Sequence, residues 1–245
     1  MSDRIEGRNA VLEALKTGKT IDKIYVKKGE YSGTLRLIIK KAKESGVAVS
    51  ETENIKLDEM AQSRAHQGVI AVCPVREYAE VSEIIARAES RNEKPFIVIL
   101  DGVTDNYNLG AVIRTAEACG AHGVIIPKRR SATLTGMVSK ASAGALEHML
   151  VARVSNIANT IESLKKRNIW IICADASGRD MYDSPLDGAV ALVVGGEGEG
   201  VGRLIKQKSD YIVKIPMYGK IPSLNSSVAA GVIMYEIIRR RNLTD

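Results

Sequence analysis

The chain is poor in the residues that most often announce a function. Aromatic residues make up 4% of its 245 positions, with a single Trp and a single Phe, so a surface built on stacked aromatic platforms is not expected. Three histidines and three cysteines lie too far apart in sequence to suggest a metal-ligand set. Cys73, Cys119 and Cys173 are odd in number and sit among apolar or helical residues, which reads as buried, reduced thiols. No apolar run approaches the roughly 20 residues that a membrane helix needs. The opening Met-Ser-Asp-Arg-Ile-Glu-Gly-Arg carries charge where a secretory signal has an apolar core, so a cytoplasmic location and no membrane partner are expected.

What is present is aliphatic and basic. Hydrophobic residues reach 45%, enough for a real core, and the formal net charge is +6, which favours a polyanionic partner. The positive charge is clustered. Lys27-Lys28 follows a short strand pattern. Arg36, Lys40 and Lys43 recur at i, i+4 and i+7 on a helix whose other face is Leu35, Ile38, Ile39 and Ala42. Lys128-Arg129-Arg130 follows a second strand pattern. Arg239 to Arg241 ends the last helix, where cations also stabilise a helix C-terminus.

The pattern falls into two halves. Residues 1–74 alternate short helices (9–15, 34–44, 55–63) with short strands (23–26, 47–50, 68–73), a small α/β module. Residues 75–94 are rich in Glu, Arg and Lys with one weak amphipathic stretch at Val81, Ile84, Ile85 and Ala88, and read as a linker carrying a helix. From residue 95 to 245, continuous apolar runs at 96–100, 123–126, 169–174, 190–194 and 211–215 alternate with helical patterns at 109–119, 157–166 and 202–208. Runs of this kind suit parallel strands covered on both faces, hence an α/β domain. Ligands of such sheets bind beyond the strand C-termini.

Three loops follow three of these strands. The first, Asp101 to Arg114, offers Asn108 as a cap for a helix starting at Leu109, Gly110 for a close approach of another backbone or a ligand, and Arg114 one turn further on. The second is Val194-Gly-Gly-Glu-Gly-Glu-Gly-Val-Gly202. It lacks the Gly-Lys-Ser/Thr of a phosphate loop, and a dinucleotide fingerprint fails at Val201 or Arg203 depending on the starting glycine. Glu197 and Glu199 would repel a pyrophosphate, so a neutral or cationic ligand suits it better. The third runs from Ile215 to Gly231. Pro216 and Pro222 stiffen it, Ser223 or Asn225 can cap the next helix, and that helix begins with small residues and carries an apolar stripe at Val228, Gly231, Val232, Tyr235 and Ile238. One crevice lined by Asn108, Arg114, Glu197, Ser223 and Asn225 would hold no cysteine or histidine nucleophile, which suits a transfer reaction that relies on positioning.

These loops resemble the three signature motifs of the SpoU (TrmH) family of RNA ribose 2′-O-methyltransferases, within the SPOUT superfamily. Asn108, Gly110 and Arg114 match the first motif. Gly195-Gly-Glu-Gly-Glu-Gly200 matches the second, and the run from Ile215 to Ala229 the third. Gly7-Arg-Asn-Ala-Val-Leu-Glu-Ala14 and His66-Gln-Gly68 are similar to the family's substrate-binding domain, which resembles a ribosomal protein that binds kink-turn RNA. The subgroup resembled most is the one that methylates a guanosine ribose of 23S ribosomal RNA. The chain departs from the family at Asn106, often proline, and at Ser226, often valine or alanine.

The resemblance implies a C-terminal domain (95–245) tied in a deep trefoil knot, S-adenosylmethionine held around Leu192, Val193, Val194, Gly195, Gly196, Ile215, Met217 and Leu224, and a homodimer. It implies Arg114 as the residue that activates the ribose hydroxyl, oriented by Asn108, Glu197, Asn225 and Ser223. Arginine is ordinarily no base, so positioning of the hydroxyl and of a substrate phosphate is as much its expected part as proton removal. RNA contacts are expected at Arg8, Arg36, Lys40, Lys43, Lys128, Arg129 and Arg130, and no metal is needed. Alternatives are a transfer-RNA methyltransferase of the same family and a non-catalytic RNA-binding or ribosome-assembly protein.

Overall fold

The computed structural model describes residues 3–243 except Glu30, Ser32, Gln62 and Arg64. The chain divides into two compact units, Met1–Glu77 with Thr133–Met137, and Tyr78–Ala132 with Val138–Asp245.

The first unit runs β1 (Asp3–Glu6), α1 (Arg8–Lys16), β2 (Lys23–Lys27), α2 (Thr34–Glu44), β3 (Ala48–Thr52), α3 (Asn54–Met60) and β4 (Val69–Cys73). Its sheet has the order β1-β4-β2-β3, with β2 and β3 parallel and the other pairs antiparallel. Ile24, Val26, Val69 and Ala71 project into a core closed by Val11 and Ala14 of α1 and by Leu35, Ile38 and Ala42 of α2. The strand β1 has no counterpart in the sequence pattern. Its Arg4-Ile5-Glu6 alternation offers one apolar residue, yet it pairs along β4 from Asp3↔Cys73 to Glu6↔Ile70. The helix expected over 55–63 is α3; the chain is extended again at Ala61, and parts of the expected C-terminal end lie outside the described residues.

The second unit begins inside what the composition suggests is a linker. Helix α4 (Val81–Ser90) opens with a capping box between Glu80 and Glu83. Its Ile84 and Ala88 are fully buried, and Ile84 and Ile85 pack with Ile97, Ile99 and Ile125 in the core. A Cβ at Gly123 would lie 2.5 Å from Ile84, so glycine there admits the isoleucine. The charges that dominate residues 75–94 sit largely on the solvent side of an amphipathic helix, and the boundary between units falls near residue 77 instead of in a free linker.

Then follow β5 (Phe96–Asp101), α5 (Asn106–Ala118), β6 (Gly123–Pro127), α6 (Gly136–Ala141, its first residues grouped with the first unit), β7 (Leu150–Val154), α7 (Ile157–Lys165), β8 (Trp170–Asp180), β9 (Val190–Gly195), α8 (Arg203–Lys208), β10 (Tyr211–Lys214) and α9 (Ser226–Arg241). All neighbours in the sheet β10-β8-β9-β5-β6-β7 are parallel, as the continuous apolar runs predict. Ile97, Ile99, Ala191 and Val193 face α4, α7 and α8. On the other face α9 packs on β8 and β9 and against α5.

Three details depart from the sequence pattern and all bear on the site. Strand β8 extends to Asp180, well past the expected 174, because β10 pairs with it twice. Tyr211 and Ile212 lie opposite Ile172 and Cys173, whereas Val213 and Lys214 lie opposite Arg179 and Asp180, leaving residues 174–178 looped out. A Cβ at Gly178 would stand 2.5 Å from the Ile212 backbone, so only glycine allows this close crossing. Helix α5 starts at Asn106, not at Leu109. Its cap is Asp105, whose Oδ1 accepts from the Asn108 amide at 2.8 Å. Asn106 is therefore the first helical residue, a position where proline is favoured, in keeping with the residue the resemblance expects there. Helix α9 buries Ala230, Ile233, Met234 and Ile237, while Val228, Val232 and Tyr235 of the expected apolar stripe face outward at 51%, 36% and 57% exposure.

The terminal basic cluster is structural. Arg239 and Arg240 both bind the buried Glu236, and Arg241 donates to the carbonyls of Lys94, Pro95 and Gly188. All three cysteines are buried and none is in a disulfide, and burial pushes the thiols of Cys119 and Cys173 up to about 11 and about 12. Among the described residues no helix is long and apolar enough to cross a membrane, and no group of His, Cys, Asp and Glu is arranged to hold a metal ion.

Candidate active site

The three loops meet at the C-terminal edge of the second unit's sheet. The glycine loop leaves β9 and turns at once: the Gly196 amide donates to the Asp101 carbonyl at 2.9 Å, Gly200 to the Gly196 carbonyl at 3.1 Å, and Gly202 to Asp101 Oδ2 at 2.8 Å. A Cβ at Gly196 would stand 2.2 Å from the Gly102 oxygen, and one at Gly195 2.1 Å from the Gly200 backbone. Gly196 is dictated by the crossing of this loop with the one after β5, and Gly195 by the tight turn of its own loop. At Gly110 a Cβ would lie 2.5 Å from that of Ala141 and 3.1 Å from the Ala141–Ser142 backbone, so the glycine there admits the start of the next segment.

Three side chains, one from each loop, close a hydrogen-bonded triangle. Asn108 Nδ2 donates to Glu197 Oε1 at 3.0 Å, and Asn225 Nδ2 donates to Glu197 Oε1 at 2.5 Å and to Asn108 Oδ1 at 3.0 Å. The polarity is set from one end. Asn225 is the cap of α9, so its Oδ1 accepts from the amides of Ser227 and Val228 and from the Ser227 hydroxyl, which turns its Nδ2 toward the loops. Asn108 must then present its oxygen to Asn225 and its amide to Glu197, and Glu197 accepts from both. Asn108 is thus a helix residue freed for this role because Asp105 supplies the cap.

Beside the triangle lies a cleft of about 670 Å³. Val194, Gly195, Gly196, Ile215, Met217, Leu224, Ser223, Asn225 and Glu197 line it. Leu192 and Val193 do not; both are fully buried inside β9, pointing to opposite faces of the sheet. Asn108 reaches the cleft only through Glu197 and Asn225. Arg114 is exposed on α5, neither lines the cleft nor joins the triangle, and makes no hydrogen bond or ion pair with the described residues.

Residues that the loop motifs did not point to also line the cleft. The looped-out segment of β8 contributes Ala174, Asp175 and Ala176. Burial works against the Asp175 charge, but bonds from Lys206 and from the Ser177 hydroxyl and amide hold its carboxyl below the usual range. The rule that ligands gather beyond strand ends, applied to β8, would have found this segment. Ser226 is buried at the start of α9, and its hydroxyl has no partner among the described residues. Of the basic candidates in this unit, Lys128, Arg129 and Arg130 are exposed. Arg130, in a left-handed conformation (φ 58°), places Nη2 2.5 Å from Glu199 Oε2 on the glycine loop. In the first unit Arg36 Nε donates to the Tyr31 carbonyl, Lys40 pairs with Glu44 at 4.0 Å, Lys43 is exposed and Arg8 binds Gln67.

Comparison with known proteins decides the family. The SpoU rRNA methylase family matches residues 95–235, and the family of RNA 2′-O ribose methyltransferase substrate-binding domains matches residues 4–79. The chain belongs to the SpoU methylase family. It is 47% identical over 98% of its length to the Bacillus subtilis protein YacO, which carries the name of a TrmH family tRNA/rRNA methyltransferase and is covered over 96%. It is 43% identical to a Staphylococcus aureus protein named for the same family, over 97% of this chain and 96% of that one. Among solved structures, this SpoU chain shares its fold with the methyltransferase AviRb from Streptomyces viridochromogenes in complex with AdoMet. The TM-score is 0.62 at 24% identity, covering 98% and 90% of the two chains. A TrmH/SpoU tRNA modifying enzyme of A. aeolicus gives a TM-score of 0.57 at 26% identity, over 66% of this chain and 85% of that one.

Proposed function

We propose that this SpoU methylase transfers a methyl group from S-adenosylmethionine to the 2′-hydroxyl of a guanosine ribose in 23S ribosomal RNA. The observation that carries the methyl-transfer part is the triangle Asn108–Glu197–Asn225 at the edge of a cleft of nucleoside size. The residues present fit the cofactor. Val194, Ile215, Met217 and Leu224 offer apolar walls, the backbone of the glycine loop offers polar groups, and the buried Ser226 hydroxyl awaits a partner. Asp175, Glu197 and Glu199 outnumber Lys214 in the lining, which suits a cation and disfavours a phosphate. When bound there, the cofactor supplies a methyl group already activated as an electrophile, so the protein needs neither a metal nor a covalent nucleophile.

The remaining work is done by side chains. A ribose hydroxyl attacks only as it loses its proton. Arg114, exposed and without a partner among the described residues, is available to hold that hydroxyl and the adjoining phosphate. As a group that keeps its proton at neutral pH, it positions the substrate and stabilises charge that develops on the oxygen. Glu197 and Asn225 hold the loops in the geometry the transfer needs. The outward stripe Val228, Val232 and Tyr235 on α9 fits a homodimer interface, and the tight crossings at Gly178 and Gly196 accord with a knotted chain.

The match over residues 4–79 and the basic character of the chain support RNA as substrate. The experiment is transfer of labelled methyl groups from S-adenosylmethionine to unmodified transcripts of large-subunit ribosomal RNA and of transfer RNA. Incorporation into the ribosomal transcript alone supports the reading, and incorporation into transfer RNA alone replaces its substrate.

A further inference from the structure

The first unit holds two basic surfaces, and they differ in form. The α2 stripe is an exposed helix face whose Arg36 and Lys40 already have partners, and the recess beside it, of about 640 Å³, includes Glu51. The second surface is a recess of about 1,020 Å³ where the C-terminal end of β2, the start of α1 and the turn before β4 converge. Arg8, Lys27 and Lys28 line it, with Asn54, Asp58 and Gln67.

This recess is built. His66 is 6% exposed. The Gly68 amide donates to its Nδ1 at 3.1 Å, so its Nε2 carries the proton and donates to Asp58 Oδ1 at 2.8 Å. Asn54 Nδ2 takes the other Asp58 oxygen at 3.0 Å. Both carboxylate oxygens are thus occupied, and one anchored negative charge faces three cations. Gln67, in a left-handed conformation (φ 51°), receives two bonds from Arg8: the backbone amide to its Oε1 and Nε to its carbonyl, each 3.1 Å. That fixes the plane of the Arg8 guanidinium while no bond is made by its terminal nitrogens to the described residues, leaving a fork of the geometry that phosphate accepts. Lys27 and Lys28 are both exposed at the rim. Lys28 has only a 3.6 Å contact with the exposed Glu53, a pair that contributes little.

We infer that this recess, and not the α2 stripe, is where the first unit grips RNA, and that it takes consecutive phosphates of an unpaired segment on Arg8, Lys27 and Lys28. It rests on the reading of the chain as an RNA methyltransferase only in naming RNA as the polyanion. Among the described residues no Phe, Tyr or Trp lines the recess, Leu35 is the one aliphatic side chain there, and the buried His66 ring is tied to Asp58 and Gly68, so bases are not stacked there. The contacts are to the backbone; they set affinity and register and carry no base sequence.

The test is equilibrium binding of the full-length protein to a fluorescent transcript of large-subunit ribosomal RNA over a range of salt. It compares wild type, Lys27→Gln/Lys28→Gln, and Arg36→Gln/Lys40→Gln/Lys43→Gln. Folding is checked by thermal melting, and S-adenosylmethionine binding by calorimetry. The recess pair is expected to weaken RNA binding about tenfold near physiological salt and to lower the log–log salt slope by roughly 1 to 1.4, two phosphates' worth for a single strand. Its cofactor Kd is expected to stay at the wild-type value. RNA binding within twofold of wild type in the recess pair, with an unchanged salt slope, overturns the inference, whichever way the α2 triple behaves. Failure of the methyltransferase reading looks different: wild-type protein that moves no methyl group to any RNA.

Discussion

Asn225 Nδ2 lies 2.5 Å from Glu197 Oε1, joining the cap of α9 to the glycine loop after β9. One side chain therefore starts a helix and holds the glycine loop. Removing the acceptor with Glu197→Ala leaves the buried Asn108 amide unpaired and that of Asn225 with only Asn108 Oδ1, a loss of about 1–3 kcal/mol for an unpaired buried group. Calorimetry should show S-adenosylmethionine binding weakened by roughly tenfold or more. Glu197→Gln, which keeps an acceptor oxygen, should be the milder change; a Gln variant worse than Ala would contradict the triangle's role.

Arg114 stands outside both triangle and cleft, so its loss should separate chemistry from cofactor binding. Arg114→Ala should lower methyl transfer by about 10²–10⁴, the usual contribution of a positioned acid–base or charge-stabilising group. Its Kd for S-adenosylmethionine should stay within about twofold. Near wild-type turnover would remove Arg114 from the mechanism.

Tyr235 exposes 57% of its surface in the middle of an outward apolar stripe. Sedimentation of wild-type protein should give a dimer. Tyr235→Glu, which places a charge in that stripe, should shift it to monomer without lowering the melting temperature. A wild-type monomer at micromolar concentration would contradict the interface.

His122 offers a pH test of the core. Burial lowers its pKa, and the pull of Glu93 only partly offsets this. The folded state therefore binds the proton later than the unfolded chain, whose histidines titrate near about 6.5. The stability that neutral His122 contributes is complete above that pH. It declines as pH falls from there toward the folded value, by at most about 1.4 kcal/mol per pH unit for one proton. Melting temperatures between pH 7 and pH 5 should fall accordingly, and His122→Gln should flatten that part of the curve. An equally steep variant would assign the slope to other groups.

Much of the second unit was legible because its strands are buried on both faces and read as unbroken apolar runs. Asn108, Glu197 and Asn225 were legible as polar residues after strand ends. Their mutual bonds were not, since nothing in spacing says that Asp105 takes the capping duty and frees Asn108. Helix α4 was legible as an amphipathic stretch, but its charges made it read as part of a linker; they lie on its wet side while Ile84 and Ala88 enter the core. The stripe Val228, Val232, Tyr235 was seen but its direction was not. Periodicity finds an apolar face and cannot tell which of two faces of α9 meets the sheet when Ile233, Met234 and Ile237 make the other. Leu192 and Val193 were assigned to the cofactor with their neighbours on β9, but the strand's alternation buries both before the cleft begins.

The central claim is tested most directly by the identity of the methylated nucleoside. Large-subunit ribosomal RNA transcript treated with enzyme and labelled S-adenosylmethionine would be digested completely and resolved by chromatography. The account predicts a single labelled product, 2′-O-methylguanosine, that vanishes with Arg114→Ala. Label on a base instead of a ribose would contradict it.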